Sequence, residues 1–318
     1  MDKSSRIYIA GHRGMVGSAL VRRLRKEGFG NLIVRTPEEL DLTRQADTER
    51  FFLNEKPEYV FLAAARVGGI MANKTYRAEF IHANLHIQGN VIHSAWKTAV
   101  KKLLFFSSSC VYPRLCPQPM KEEHLWTGLL EPTNEPYAVA KLTGISMCRA
   151  YNEQYGTNYI SVIPTNLYGP HDNYDPLQSH VMAALIHKFH NAKMDGMQEV
   201  TLWGTGSPRR ELMFVDDATD ASLFLMQSYD GSEPVNVGVG EDRTIRELAE
   251  LVRRVIGYDG EIVFDAGKPD GAPQKLLDAG RLQNMGWKSH TGLEEGIRSA
   301  YEWYVQSLSG ARYAEARH

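Results

Sequence analysis

The chain reads as an α/β protein: a doubly wound parallel sheet with a smaller α/β domain attached. Three observations predict this. Short apolar runs alternate with longer amphipathic stretches through the first half, the rhythm of βαβ units. The runs are continuous in Ile, Val, Leu and Phe instead of alternating with polar residues, as strands covered by helices on both faces require. Between Tyr168 and Glu211 the composition shifts to Pro, Asn, Asp, His and a Trp-Gly-Thr-Gly turn, so the chain leaves the sheet there.

In order, strands are expected at Arg6 to Ala10, Asn31 to Arg35, Tyr59 to Leu62, Leu103 to Ser107 and Tyr159 to Pro164, with helices between them. One helix begins near Ser179 in the inserted stretch. Leu212 to Val215 and Val235 to Val237 read as strands that rejoin the sheet, flanking a helix from Asp216 to Gln227. Thr244 caps a helix whose Ile245, Leu248, Val252 and Val255 form one apolar face. The Lys268 to Gly271 segment and a helix after Thr291 complete the smaller domain, and the last ten residues form a poorly ordered tail. The division expected is residues 1–168 and 212–241 for a nucleotide-binding domain, and 169–211 and 242–318 for a substrate-binding domain.

Composition narrows the function. The 318 residues are 43% hydrophobic and 23% charged, enough for a large core, which excludes a disordered chain or a small disulfide scaffold. Thirty-six Lys and Arg against thirty-eight Asp and Glu leave no bulk field for nucleic acid or an anionic membrane. An anionic ligand therefore needs a local site. Three cysteines, Cys110, Cys116 and Cys148, argue for free thiols and a reducing compartment. No run approaches membrane-spanning length or a signal sequence, so a cytoplasmic location is expected, and no cluster spaced for a metal stands out.

The first strand runs into Gly11-His12-Arg13-Gly14-Met15-Val16-Gly17, and a helix follows. Glycine at each third position lets the backbone turn tightly, approach a diphosphate and present a helix N-terminus to it. Alone, three glycines also make a plain turn; after strand one of a βαβ pattern they read as a Rossmann dinucleotide site. A carboxylate at the end of strand two selects NAD, but here that end is Ile33-Val34-Arg35-Thr36. Arg35, with Arg13, suits the 2′-phosphate of NADP, although Arg35 also reads as a solvated strand end. Pro37 stands where a further basic residue would have helped, which leaves these two arginines with more of that task.

Tyr137 and Lys141 are four residues apart and share one face of a helix. Ser107-Ser108-Ser109 lies at the carboxyl end of strand four, where open parallel sheets bind ligands. A serine hydroxyl and the tyrosine phenol can converge on a carbonyl, while the ammonium is expected to lower the phenol pKa from about 10. This is equipment for protonating an oxygen as hydride arrives.

The glycine loop, the Ser and Tyr-x-x-x-Lys set and Asn166 to Pro170 resemble the extended short-chain dehydrogenase/reductases. Longer matches narrow the resemblance: Gly11 to Ser18, Ala64 to Ile70, Ser108 to Pro113, Glu131 to Tyr137, Pro164 to Asn173 and Trp203 to Gly206 are similar to the GDP-L-fucose synthase family over nearly the whole chain. The resemblance implies NADPH-dependent epimerisation of GDP-4-keto-6-deoxy-D-mannose at C3 and C5, then reduction at C4. It makes Ser108, Tyr137 and Lys141 the reductase triad, and Cys110 with His180 the acid/base pair. It places Lys188 and Arg210 near the sugar-nucleotide diphosphate, Trp203 beside the nucleotide or sugar, and Asp270 as a polar contact. Around the cofactor it places Asp41 and Leu42 by the adenine, Ala63 and Ala64 by the diphosphate, and Pro164, Thr165, Asn166 and Leu167 near the nicotinamide, with Lys141 touching the ribose. It also implies a homodimer through a four-helix bundle of the stretches 73–99 and 136–155.

The residues support part of this on their own. Cys110, two beyond Ser108, shares its face in an extended segment. His180 follows Ser179, an expected N-cap, where the positive helix end lowers an imidazolium pKa. A lone cysteine or histidine is more often inert packing; beside a reductase triad the two read as a carbon-acid base and its partner. A related GDP-4-keto sugar, dideoxy or heptose, remains an alternative substrate, and a non-catalytic NADP-sensing regulator an alternative use of the fold.

Overall fold

The computed structural model describes residues 1–176, 179–268 and 270–315; Pro269, in the Lys268 to Gly271 segment, and the final three residues lie outside the described residues. The first half runs β1 (Ile7–Ala10), α1 (Met15–Lys26), β2 (Leu32–Ile33), α2 (Gln45–Glu55), β3 (Tyr59–Leu62), α3 (Ile70–Thr75), α4 (Arg77–Lys97), β4 (Lys102–Phe106), α5 (Glu135–Tyr155) and β5 (Tyr159–Pro164). The second half adds β6 (Asn166–Tyr168), α6 (Val181–Met194), β7 (Glu199–Trp203), β8 (Arg209–Phe214), α7 (Val215–Ser228), β9 (Val235–Val237), β10 (Asp242–Thr244), α8 (Ile245–Ile256), β11 (Glu261–Asp265), β12 (Gln274–Lys275), α9 (Gly280–Asn284) and α10 (Leu293–Glu315).

Six strands form one parallel sheet in the order β2-β1-β3-β4-β5-β9. The chain steps from β1 to β2 on one side and then crosses to β3 on the other, which opens a crevice beyond the carboxyl ends of β1 and β3. Both faces of the sheet are covered. Ile7 and Ile9 point into one apolar layer with Leu20, Phe61 and Leu104, while Tyr8 and Ala10 point into the other with Phe52, Leu62 and Phe105. That two-sided burial is why these strands show no polar alternation.

The smaller lobe has its own apolar centre, where Leu185 and Phe189 of α6, Leu248 and Val252 of α8, and Ile297 of α10 meet. Thr244 caps α8 as expected, in a capping box with Glu247; Leu248 and Val252 are buried, Ile245 and Val255 pack half-buried against the same centre, and Ile256 adds to the buried face. One expectation fails here. The strand at Leu212 to Val215 does not rejoin the central sheet: β8 pairs with β6, β10 and β12, and only β9 joins β5. Glu211 explains the placement. Its buried carboxylate accepts N–H bonds from Val239 (2.7 Å), Gly240 (2.8 Å) and Leu277 (2.8 Å), and its carbonyl accepts from Thr165 Oγ1 and Asn166 Nδ2. β2 is two residues long, shorter than the expected Asn31 to Arg35. The expected loose tail is helical as far as Glu315. Among the described residues no helix is long and apolar enough to cross a membrane.

Candidate active site

The glycine loop closes on the crevice as its spacing requires. Gly11 has φ of +87°, and a Cβ there would stand 2.8 Å from the backbone of Ala64. A Cβ on Gly17 would lie 2.1 Å from the Gly11 carbonyl, so glycine lets α1 seat against the loop. Gly14 differs: it caps α1, and the nearest atom to a Cβ there is the Gly11 carbonyl oxygen at 3.5 Å. The loop thus leaves an open cradle beside the first N–H groups of α1, which fits a dinucleotide diphosphate. His12, Met15 and Val16 are half-buried and Arg13 is exposed.

The two arginines are unequal. Arg35 is tied to the Glu55 carboxylate and to the Val34 carbonyl, with its guanidinium 5.6 Å from the Phe51 ring centre. Arg13 lies 3.8 Å from Glu38, both side chains being largely exposed. Asp41 accepts from the backbone and hydroxyl of Thr43, and the Leu42 carbonyl accepts from Asn90. Ala63 donates its N–H to Ala10. Pro164 and Thr165 are buried, and Asn166 and Leu167 half-buried, at the end of β5 and in β6.

The residues expected to form the catalytic set come together at the carboxyl end of β4. Beyond Phe106 the chain does not stay extended, as the face-sharing reading assumed: Ser109–Val111 forms a single 3₁₀ turn. Burial of Val111 and Tyr112, with the Tyr112 hydroxyl donating to Asn236 at 2.6 Å, draws the turn inward. Ser108 caps it, its Oγ accepting from the Cys110 N–H at 3.4 Å, so the hydroxyl and the thiol remain neighbours by a different route.

Tyr137 and Lys141 both come from the first half of α5, with Pro136 in its opening turn. Lys141 is buried and donates to the Phe106 carbonyl at 2.8 Å, its Nζ 5.8 Å from the Tyr137 ring centre. Burial lowers its pKa from 10.5 to about 8, with the Cys110 thiol opposing. The expected lowering of the Tyr137 pKa is reversed. Burial raises it, the adjacent Cys110 raises it further, and Ser108 alone works the other way. Because the ammonium is aimed at a carbonyl, it does not outweigh desolvation. Burial also raises the Cys110 pKa, relieved by Ser108 and by the charges of Lys275 and Lys141.

His180 is itself the N-cap of α6, without a side-chain cap bond, where Ser179 had been expected. His180 is exposed to solvent, yet the protein packed around its imidazole lowers its pKa and the charge of Lys275 lowers it further. The direction matches the expectation; the leading cause is desolvation, not the helix end. Lys275 itself was not singled out from the sequence. It lies on the two-residue strand β12, half-buried, with its pKa lowered by burial and supported by Cys110. Met120 N–H donating to Leu276 and Asp278 N–H donating to Met120 hold that strand beside the segment that follows the 3₁₀ turn at Ser109–Val111. An isolated Lys after Gln carries no spacing signal; only the sheet pairing reveals its place.

The residues expected to meet the sugar nucleotide gather in the smaller lobe. Arg210 is held by the carbonyls of Arg209 and Ala272, both at 2.7 Å, with Asp270 supporting its charge. Asp270 also accepts from the Thr205 N–H (2.9 Å) and hydroxyl (2.8 Å), clamping the turn after Trp203. Trp203 is 64% exposed, with Lys268 over its ring at 5.8 Å. Lys188 donates to the Thr201 carbonyl at 3.2 Å. Among the described residues no cluster of three or more His, Cys, Asp or Glu could hold a metal.

Residues 7–238 match the model of the NAD dependent epimerase/dehydratase family. A GDP-L-fucose synthase of Arabidopsis thaliana is 56% identical over 307 residues, 96% of this chain and 95% of that protein. Among solved structures, a GDP-6-OMe-4-keto-L-xylo-heptose reductase from C. jejuni superposes with a TM-score of 0.92 at 40% identity, covering 96% of this chain and 99% of that one. A GDP-L-fucose synthetase from Naegleria fowleri bound to NADP superposes with a TM-score of 0.91 at 27% identity, covering 97% and 96%.

Proposed function

This chain belongs to the NAD dependent epimerase/dehydratase family, and on that premise we propose that it converts GDP-4-keto-6-deoxy-D-mannose to GDP-L-fucose with NADPH, in the cytoplasm. The high-identity relative supports the overall reaction, and the NADP-bound neighbour supports the cofactor. The carrying observation is the thiol of Cys110 against the Ser108 hydroxyl and the Tyr137 phenol. A plain C4 reductase has no use for a carbon-acid base at that point. The central sheet carries the cofactor in this reading and the smaller lobe carries the sugar nucleotide.

Ser108 and Tyr137 hold the C4 oxygen and stabilise the enolate that makes the C3 and C5 protons acidic. At each carbon in turn the Cys110 thiolate removes the proton and protonated His180 delivers one to the opposite face, the thiol then losing its proton and the imidazole regaining one through solvent before the next inversion. Lys275 lies where its charge favours the Cys110 thiolate and makes the His180 imidazolium a readier proton donor. The cradle beside Gly14, with Ala63, Ala64, Arg13, Arg35, Asp41, Leu42 and the Pro164 to Leu167 segment, would hold NADPH, which when bound would supply a hydride to C4. Tyr137 then protonates the C4 oxygen. Lys188, Arg210, Trp203 and Asp270 receive the GDP portion.

We also read the outer face of α4 and α5, where Val139 and Tyr155 are 37% and 44% exposed, as the surface of a homodimer closed by a four-helix bundle.

The test is product NMR on the purified protein with substrate and NADPH, with deuterium incorporation at C3 and C5 followed in heavy water without cofactor. GDP-L-fucose and exchange at both carbons are expected, and Cys110→Ser should lose most of the exchange because a hydroxyl is far less acidic than a thiol. An unepimerised 6-deoxy product from the unaltered chain would reject the reading and favour a heptose-type reductase. Undiminished exchange in Cys110→Ser would assign the base elsewhere.

A further inference from the structure

Among the described residues no hydrogen bond holds the His180 imidazole. The chain on either side of His180 is fastened to one turn of α10. On the incoming side, the loop after β6 carries His171 and Tyr174. The His171 ring lies 4.8 Å from that of Trp303; Tyr174 stacks on Tyr304 at 4.4 Å and faces Trp303 at 6.2 Å. The Tyr174 hydroxyl donates to the Ala300 carbonyl at 3.3 Å. On the outgoing side, α6 hangs from the same turn. His187 Nδ1 pairs with the Tyr304 hydroxyl and His190 Nδ1 with the Tyr301 hydroxyl, each at 3.1 Å. Ser108, Cys110, Tyr137 and Lys141 are mounted instead on the end of β4, the turn after it and α5.

We propose that the turn of α10 at Ala300, Tyr301, Trp303 and Tyr304 is a positioning element for His180, with Trp303 as its key positioning residue, and that it governs the epimerising half of the reaction without touching the reducing half. The inference rests on the acid/base reading of His180 given above. Aromatic pairs of this kind are geometrically selective, and displacing a catalytic group by about 1 Å is enough to cost on the order of a hundredfold in rate. Loosening the latch at Trp303 should therefore be felt at His180, while the triad at β4 and α5 keeps its geometry.

The experiment reads product partition. Trp303→Leu, Trp303→Phe and His171→Ala are incubated with GDP-4-keto-6-deoxy-D-mannose and NADPH, the GDP-sugars are resolved by NMR, and NADPH consumption is followed in parallel. Trp303→Leu should form GDP-L-fucose roughly ten- to a hundredfold more slowly and release an unepimerised 6-deoxy sugar, with NADPH affinity unchanged. Trp303→Phe, which keeps a ring at the stack, should restore the partition, and the surface change His171→Ala should move it in the same direction as Trp303→Leu. Near-ultraviolet circular dichroism checks that each variant is folded. A proportionate fall in both products, or an unchanged partition in folded Trp303→Leu or His171→Ala, would overturn the positioning role. Failure of the unaltered chain to epimerise would instead overturn the functional reading beneath it.

Discussion

The ammonium of Lys141 donates to the carbonyl of Phe106 across 2.8 Å, tying α5 to the last residue of β4. Burial depresses the Lys141 pKa to about 8, against 10.5 for the free side chain. Below about pH 8 both folded and unfolded forms carry the proton, and the folded form bears the full cost of a buried charge. Between about 8 and 10.5 the unfolded chain holds more protons, so this cost falls as pH rises. In the cofactor-free protein the thermal midpoint of the unaltered chain should therefore rise relative to Lys141→Met as pH goes from 8 to 10. Calorimetry of the pair across that range checks it, and parallel midpoints would refute the burial argument.

Tyr137→Phe removes only the phenolic oxygen. Its ring packs edge-on to Phe80 at 6.4 Å, so the fold and NADPH binding should persist while turnover falls by about two orders of magnitude or more, the scale for losing a positioned acid. Fluorescence titration of NADPH and steady-state absorbance separate the two effects. Near-normal reduction would move the proton donor elsewhere.

Arg13 is the better-placed cation for the 2′-phosphate, since Arg35 is already engaged by Glu55. Arg13→Ala should raise KM for NADPH by roughly tenfold and leave KM for NADH unchanged, the scale of one charge-assisted bond. An equal change for both cofactors would mean that the arginine serves the loop and not the phosphate.

Assembly is tested at Val139. Val139 lies on the exposed surface of α5 beside Ala78, Ile81 and Pro136; a carboxylate there opposes pairing of identical faces, so Val139→Glu should halve the mass measured by light scattering at micromolar concentration. A monomeric unaltered chain would remove the bundle altogether.

Much of the central sheet was legible because its strands, buried on both faces, leave unbroken apolar runs, and because Gly11, Gly14 and Gly17 announce a loop by position alone. The smaller lobe was harder to read. Glu211 looks like one more charged residue, yet three backbone donors converge on it and take β8 out of the central sheet. Cys110 was paired with Ser108 for a reason that the 3₁₀ turn replaces. Lys275 carries no sequence signal, since its neighbours at the site are distant in the chain. The direction of the Tyr137 shift depends on how deeply the phenol is buried and where Lys141 points, and neither is written in a four-residue spacing.

The three N–H bonds gathered by Glu211 have a consequence outside catalysis. Val239 follows the last strand of the central sheet and Leu277 follows β12 of the smaller lobe, so one carboxylate stitches the two lobes at their seam. A neutral amide offers a single acceptor oxygen to three donors and would strand buried N–H groups on both sides at once. Damage at this position would show first in the cell as depleted protein, cleared by quality control before any enzyme assay could register a defect.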